Sequence, residues 1–307
     1  MKTIILNNGV EMPVVGFGTY DLPKDRITEI IDFAYKAGYR KFDTASYYNN
    51  EIELGKAFKE LGIKREELFI QTKLSAKHLY LNQYYWGNYK RFLNIRSFRS
   101  IDAEIETSFR RLGVDYIDMF LVHYPWHIFL KMYRHLEKYL KAGKIKAIGV
   151  CSFLPPHIQY LIDQRASVPA LNQIEFSPLN RQTMIIEYCH QMNVRPEAMS
   201  TFSHFRNSAP RMEIMKNPVL LRIAEAHGKS VPQIVNRWII DQGISILPKS
   251  KNPNHIQENI DIFDIELSDK EREMINGLNQ GKFLNYNPRH AYRGMPRSYR
   301  DPEWFDL

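Results

Sequence analysis

The stretch Leu112-Gly113-Val114-Asp115-Tyr116-Ile117-Asp118-Met119-Phe120-Leu121-Val122-His123 decides how the chain is read. Upstream of it, Arg99 to Leu112 carries the 3.6-residue apolar spacing of a helix, and Gly113 fits the left-handed residue that ends one. Tyr116 to Val122 is then a short, mostly apolar run, as in a strand covered on both faces, and polar His123 closes it. Helix, glycine, buried strand and polar strand end together make one βα repeat.

The same alternation runs along the whole chain. Strands are expected at Val14 to Gly18, Lys41 to Asp43, Leu68 to Lys73, Tyr116 to Val122, Ile145 to Val150, Ala170 to Glu175, Val194 to Phe202 and Ile244 to Pro248. Helices fall between them at Asp25 to Ala37, Glu51 to Leu61, Arg99 to Leu112, Ile128 to Ala142, Pro156 to Gln164, Thr183 to Met192, Val219 to His227 and Pro232 to Gln242, and Gly38, Gly62, Gly113, Gly143 and Gly228 sit at the cap positions. Asn8-Gly9 supplies the turn of an opening hairpin, Thr3 to Leu6 with Glu11 to Val15. Eight βα units within 307 residues favour an α/β (β/α)8 TIM barrel over an open doubly wound sheet. The chain is expected to be one barrel domain, 1–307, with an insertion loop at 75–101, a loop around Ser203 to Asn217, a helix from the capping pattern Ser268-x-x-Glu271, and an irregular tail at 281–307.

Composition excludes several classes. With 44% hydrophobic and 25% charged residues the chain is no disordered polymer. The longest apolar runs, Tyr116 to Val122 and Ile244 to Leu247, fall well short of the roughly 18 residues of a membrane span. Thr3 to Leu6 after Lys2 is too brief for a secretory signal, which points to the cytoplasm. Two cysteines, Cys151 and Cys189, supply neither a metal cluster nor a disulfide framework. The net charge of +8 suits nucleic acid, an acidic membrane surface or a small polyanion equally. The 75–101 insertion interleaves Lys77, Lys90, Arg91, Arg96 and Arg99 with seven aromatic residues and has no acidic residue. It reads as a rim loop, a substrate lid or, least well supported, a stacking platform for nucleic acid.

Strand ends on one rim of a barrel are where its chemistry is built. Asp43, Lys73 and His123 close the second, third and fourth strands, and Tyr48 follows Asp43 by five residues. Each alone has an ordinary explanation as a turn residue, a solvated strand end, a core histidine or a loop aromatic. Together they form a Tyr-Lys-Asp-His set on one face.

At these residues the sequence resembles the aldo-keto reductase superfamily. The match runs through Gly16-Phe17-Gly18-Thr19, Phe42-Asp43-Thr44-Ala45-x-x-Tyr48-x-Asn50-Glu51, Gln71-Thr72-Lys73, Arg111-Leu112-Gly113-Val114-Asp115-Tyr116, His123-Tyr124-Pro125, Asn172-Gln173-x-Glu175 and Leu247-Pro248-Lys249-Ser250. The resemblance implies an NAD(P)H-dependent reductase of aldehydes or ketones. Tyr48 would be its general acid, Lys73 the cation that favours phenolate, Asp43 the partner of that lysine, and His123 a hydrogen-bond donor to the substrate oxygen. Tyr20 and Tyr124 would join Tyr48 and His123 at the substrate. For the cofactor it implies Gly18, Thr19 and Asp43 as contacts, Ser152 and Gln173 at the nicotinamide carboxamide, and Lys249 and Ser250 at the 2′-phosphate of NADP(H). Glu258 and Asn259 would lie at the adenine. Asn252-Pro253 opens a helix, Pro253 to Asp261, whose N-terminus suits that phosphate.

Three positions depart from the family pattern. Cys151-Ser152 stands for Ser-Asn, Met199 for the aromatic that stacks on the nicotinamide, and His255 for an arginine of the phosphate site. A neutral imidazole there softens the preference for NADPH and leaves NAD(H) open. These departures motivate an alternative, a nicotinamide-nucleotide sensor or regulatory subunit with little turnover. The expected partners are a small carbonyl compound and neither membrane nor nucleic acid; the chain would be a monomer or weak homodimer, and no metal is expected.

Overall fold

Asn8-Gly9 turns the chain as its residue types require. β1 (Thr3–Ile5) pairs antiparallel with β2 (Glu11–Pro13), and Gly9 takes a φ of 84°. A computed structural model describes residues 2–75, 100–202, 209–281, 283, 295–301, 303 and 304. The 76–99 part of the insertion, with its basic and aromatic residues, lies outside the described residues, as do residues 203–208 and residues 282, 284–294, 302 and 305–307 of the tail.

Eight parallel strands follow the hairpin: β3 (Gly16–Gly18), β4 (Lys41–Asp43), β5 (Phe69–Leu74), β6 (Ile117–Val122), β7 (Ile145–Cys151), β8 (Leu171–Glu175), β9 (Arg195–Met199) and β10 (Ser245–Ile246). Each pairs with its sequence neighbour, and a bridge between Val15 and Ile246 joins the first to the last, closing the ring. The Gly18 N–H adds a bond to the Pro248 carbonyl at 3.0 Å across the same seam. Glycine eases this approach, because a Cβ at position 18 would lie a tight 3.2 Å from the Leu247 carbonyl oxygen.

The helices clothe the ring: α1 (Ile27–Lys36), α2 (Glu51–Glu60), α3 (Ile101–Leu112), α4 (Phe129–Lys141), α5 (Pro155–Asp163), α6 (Thr183–Gln191), α7 (Ala209–Met215), α8 (Pro218–Ala226), α9 (Val231–Asp241), α10 (Pro253–Ile260) and α11 (Asp269–Asn276). α4 shows the logic: Phe129, Met132, Tyr133 and Leu136 fall on one stripe and are all buried. Burying each such side chain contributes about 1.5–3 kcal/mol before conformational entropy is set against it. The caps read from sequence form. The Ser268 hydroxyl accepts from the Glu271 N–H while Glu271 accepts from the Ser268 N–H, and Asn252 caps α10 by accepting from the Asn254 N–H at 2.9 Å.

Inside the ring the character changes with height. At the hairpin end Leu6 and Met12 plug the barrel against Phe69, Met119, Leu121, Ala147, Ala170 and Leu171. Toward the C-terminal ends of the strands the interior is polar and charged, with Asp43, Gln71, Lys73, Gln173 and Glu197 all buried.

The structure corrects the sequence reading in four places. The segment expected as a loop, Ser203 to Asn217, contains α7, a seven-residue helix too short to display an apolar period. β9 ends at Met199 rather than Phe202, where Ser200 turns to a φ of 56°. β10 has two residues instead of five, since Pro248 has no N–H for a ladder and its carbonyl is taken by Gly18. The tail includes a 3-10 turn at Arg297–Tyr299, fixed by the Tyr299 hydroxyl donating to Asp163 at 2.6 Å.

Candidate active site

Residues two apart on a strand share a face, so Lys41 and Asp43 of β4, Gln71 and Lys73 of β5, and Glu197 and Met199 of β9 form same-face pairs in the barrel. At the upper level the Lys73 ammonium donates to both Asp43 oxygens, at 2.7 and 2.6 Å, and to the Thr44 carbonyl at 2.9 Å. Its remaining neighbour is the Tyr48 hydroxyl at 3.2 Å. A 3-10 turn, Ser46–Tyr48, carries that tyrosine over the barrel mouth.

Asn50 holds the turn in place, because its amide donates to the Thr19 carbonyl while the Thr44 hydroxyl donates to its oxygen. Thr19 in turn donates to the Asp43 carbonyl. Gly18 and Thr19 therefore hold the frame of the site: one lies at the seam and the other anchors β4.

His123, just beyond β6, completes the group. Its ring lies edge-on to Tyr48 at 5.8 Å and is stacked on Tyr124 at 4.6 Å, while Tyr20 meets Tyr48 edge-on at 4.8 Å. Sequence reasoning placed Asp43, Tyr48, Lys73 and His123 together, and the structure brings all four together.

Burial governs the electrostatics of the site. Burial, with Asp43, Cys151 and Tyr20 nearby, holds the Tyr48 phenol well above the usual tyrosine value. Burial and the Lys73 charge hold His123 well below the usual histidine value, so its imidazole is neutral, and its Nδ1 has no hydrogen-bond partner among the described residues. Burial, with the Glu197 carboxylate adding to it, raises Asp43 against the pull of Lys73. Lys73 meets the Tyr48 hydroxyl while both oxygens of Asp43 balance its charge.

The cofactor positions divide into two sets. Gln173, Ser152 and Met199 converge beside the tetrad. The Gln173 amide nitrogen faces carboxylates, and its carbonyl oxygen lies 3.7 Å from Cys151 Sγ, which is itself 4.0 Å from Met199 Sδ. Ser152 takes a left-handed φ of 60°, a conformation that asparagine adopts more readily than serine. Burial pushes the Cys151 thiol up to about 12, which leaves it an inert, protonated thiol.

The second set is exposed. Lys249, His255 and Glu258 face solvent, Ser250 is half-buried, and half-buried Asn259 accepts a bond from Asn236 at 3.4 Å. Crowding around the Lys249 ammonium lowers its pKa, Lys251 and Arg211 lower it further, and Asp21 opposes them. Arg211, at the start of the unexpected α7, is thus a cation of this edge that the sequence did not reveal. The chemistry of these donors fits a nicotinamide dinucleotide. An amide carbonyl and a hydroxyl stand beside the tetrad, and cations stand beside the N-terminus of α10, a combination whose chemistry suits a phosphate. Among the described residues no group of His, Cys, Asp or Glu could hold a metal ion, and no helix is long and apolar enough to cross a membrane.

A closed parallel barrel with a Tyr-Lys-Asp-His cluster at its mouth carries that cluster on the face where barrel enzymes build their active sites from βα loops. Residues 14–280 match the Aldo/keto reductase family, and the chain belongs to that family. It is 37% identical over 288 residues to the glyoxal reductase of Bacillus subtilis, a match covering 93% of this chain and 96% of that one. It is 36% identical over 295 residues to the morphine 6-dehydrogenase of Pseudomonas putida, covering 93% and 94%. Among solved structures, the Bombyx mori aldo-keto reductase in complex with NADP superposes with a TM-score of 0.81 at 28% identity, covering 98% of this chain and 99% of that one.

Proposed function

We propose that the chain is an NADP(H)-preferring carbonyl oxidoreductase that reduces a small aldehyde or ketone to an alcohol, with Tyr48 as general acid. The observation that carries the reading is the unbroken contact from buried Asp43 through buried Lys73 to the hydroxyl of half-buried Tyr48. The bound nicotinamide supplies the hydride. Tyr48 donates the proton that completes the alcohol. Lys73 stabilises the phenolate left behind, because a free phenol of pKa about 10 is too weak an acid to give up its proton efficiently at neutral pH. Neutral His123 donates a hydrogen bond to the carbonyl oxygen and sets its direction. Stacked Tyr124 and edge-on Tyr20 form the walls of the substrate site.

On the cofactor side, the Gln173 carbonyl and Ser152 hydroxyl hold the carboxamide, and Met199 covers the ring with a polarisable thioether. Lys249, Ser250 and the N-terminus of α10 hold the 2′-phosphate. The named activities and the NADP complex of the relatives support this reading. Initial rates of NADPH oxidation against a panel of aldehydes test it. Turnover that is lost in Tyr48→Phe is the expected result. Tight NADPH binding with no turnover on any aldehyde would favour the sensor reading instead, which the Cys151-Ser152 and Met199 departures motivate.

A further inference from the structure

Beneath the tetrad lies a second buried ion pair that the reaction as described does not use. Lys41, at the start of β4, is fully buried and donates to Glu197 of β9, which is equally buried, and to Met12 Sδ of the hairpin plug at 3.1 Å. Between this pair and the tetrad sit two carboxamides. The Gln71 nitrogen is 2.8 Å from Asp43 Oδ1 and 2.5 Å from Glu197 Oε1, and the Gln173 nitrogen is 3.3 and 3.0 Å from the same two oxygens. Each NH2 group thus spends both of its N–H bonds bridging two carboxylates.

Neither amide can turn over, since a flip would set a carbonyl oxygen against two anions. Gln71 keeps this arrangement even though its own oxygen is buried with no hydrogen-bond partner among the described residues. From top to bottom the barrel interior therefore carries a cation, an anion, an anion and a cation: Lys73, Asp43, Glu197 and Lys41. The two anions share one site because each has its own lysine and both share the same four N–H groups.

The geometry points to Glu197, held by Lys41, as a positioning residue for the reaction: through Gln71 and Gln173 it fixes Asp43, and through Asp43 and Lys73 it sets the acid strength of Tyr48. The inference rests on the proposed role of Tyr48. The groups facing that phenol are Tyr20 beyond β3, Asp43 of β4, Lys73 of β5, His123 beyond β6 and Cys151 of β7. Those facing Glu197 are Lys41, Asp43, Gln71, the Cys151 thiol, Gln173 and Ser245, whose hydroxyl donates to it at 3.2 Å. Burial alone would raise the Glu197 carboxyl, but Lys41 and the bonds from Gln71 and Gln173 outweigh it and keep it below the usual range. It is therefore a standing negative charge under the tetrad. Removing it leaves Lys41 unopposed and favours Tyr48 phenolate; removing Lys41 leaves the anion unopposed and favours the phenol.

The test follows the full chain with NADP+ and benzyl alcohol, where Tyr48 must act as base and kcat/KM climbs with pH. Glu197→Gln is expected to move that ascending limb to lower pH by about one unit, the order of effect of a unit charge acting through the contacts from Glu197 by way of Gln71, Asp43 and Lys73 to the phenol at an effective dielectric of about 20. Lys41→Met moves it to higher pH, the double variant returns it to the wild-type position, and Glu197→Asp, which keeps the charge, leaves it in place. NADP+ affinity, read from quenching of intrinsic fluorescence without turnover, stays within a few-fold of wild type throughout.

Limbs that stay fixed, or that move in the same direction in both single variants while wild type turns over, overturn the inference. A wild type that reduces no aldehyde, benzaldehyde included, overturns the proposed function instead. Where a single variant does not fold, Gln71→Met carries the test. It keeps both ion pairs but removes one bridge between the anions, so its limb must move to higher pH, and an unmoved limb rejects the inference.

Discussion

Asp43, Lys73 and Gln173 on the inner wall of the barrel are 4%, 0% and 1% exposed, whereas Lys249, His255 and Glu258, at the edge beside α10, face solvent. The inner wall is held by hydrogen bonds that leave each group one arrangement, with several donors converging on Asp43 Oδ1. The outer edge is held mainly by the backbone of α10 and its Asn252 cap, and its side chains are free to be exchanged. Chemistry that depends on a dry, fixed field belongs to the first region, and discrimination between cofactors by a screened phosphate charge belongs to the second.

The largest break in this contrast is expected from Tyr48→Phe. It should lower aldehyde reduction by about two to four orders of magnitude, the usual worth of a positioned general acid, while NADPH binding measured by fluorescence changes only a few-fold. Lys73→Met should strike stability as well as rate. It strands a buried carboxylate, and urea unfolding should show a loss of about 3–5 kcal/mol. A loss below 1 kcal/mol would mean that the inner wall is no more constrained than the edge.

His123 gives the contrast a pH dependence. Its folded pKa lies below its unfolded value of about 6.5, so the unfolded chain binds more protons, and the stability it confers is present above that value and lost as pH falls. The slope from this residue approaches about 1.4 kcal/mol per pH unit, and His123→Gln should flatten the urea midpoint between pH 6.5 and 5.

At the outer edge, wild type should prefer NADPH over NADH by about tenfold or less, since one charge-assisted contact is missing at His255. His255→Arg should widen the ratio and Arg211→Ala narrow it. If neither changes the ratio of kcat/KM values, the phosphate lies elsewhere. The smallest effect is expected at Ser152. Asparagine suits its left-handed backbone better, so Ser152→Asn should raise stability by no more than about 1 kcal/mol, seen as a small rise in Tm.

The order of strands and helices was legible because apolar period and cap residues repeat in every βα unit, and β4 was placed to the residue. The tetrad was legible because Asp43, Lys73 and His123 fall at the ends of successive strands and Tyr48 follows Asp43 closely. Lys41, Gln71 and Glu197 escaped as functional candidates, although Lys41 and Asp43, like Gln71 and Lys73, stand two apart on one strand. That spacing was the available signal, since two polar groups on the same face of a barrel strand must be satisfied together. What pairs with what across the ring could not be read, because Glu197 meets Lys41 from strands far apart in the chain. α7 escaped because seven residues are too few for a period, and Arg211 was missed with it.

The seam at Val15 and Ile246 bears on how the molecule is made. The two partners come from opposite ends of the chain, so a nascent polypeptide whose residue 246 is still inside the ribosome has no closing strand. Until that strand emerges, the flanks of β3 and β9 are open ladders with unpaired N–H and C=O groups, available to any other extended chain nearby. Truncation ahead of β10 should therefore give a product that aggregates during synthesis, rather than a smaller folded protein, because the two-residue strand Ser245–Ile246 is the last part of the ring to arrive.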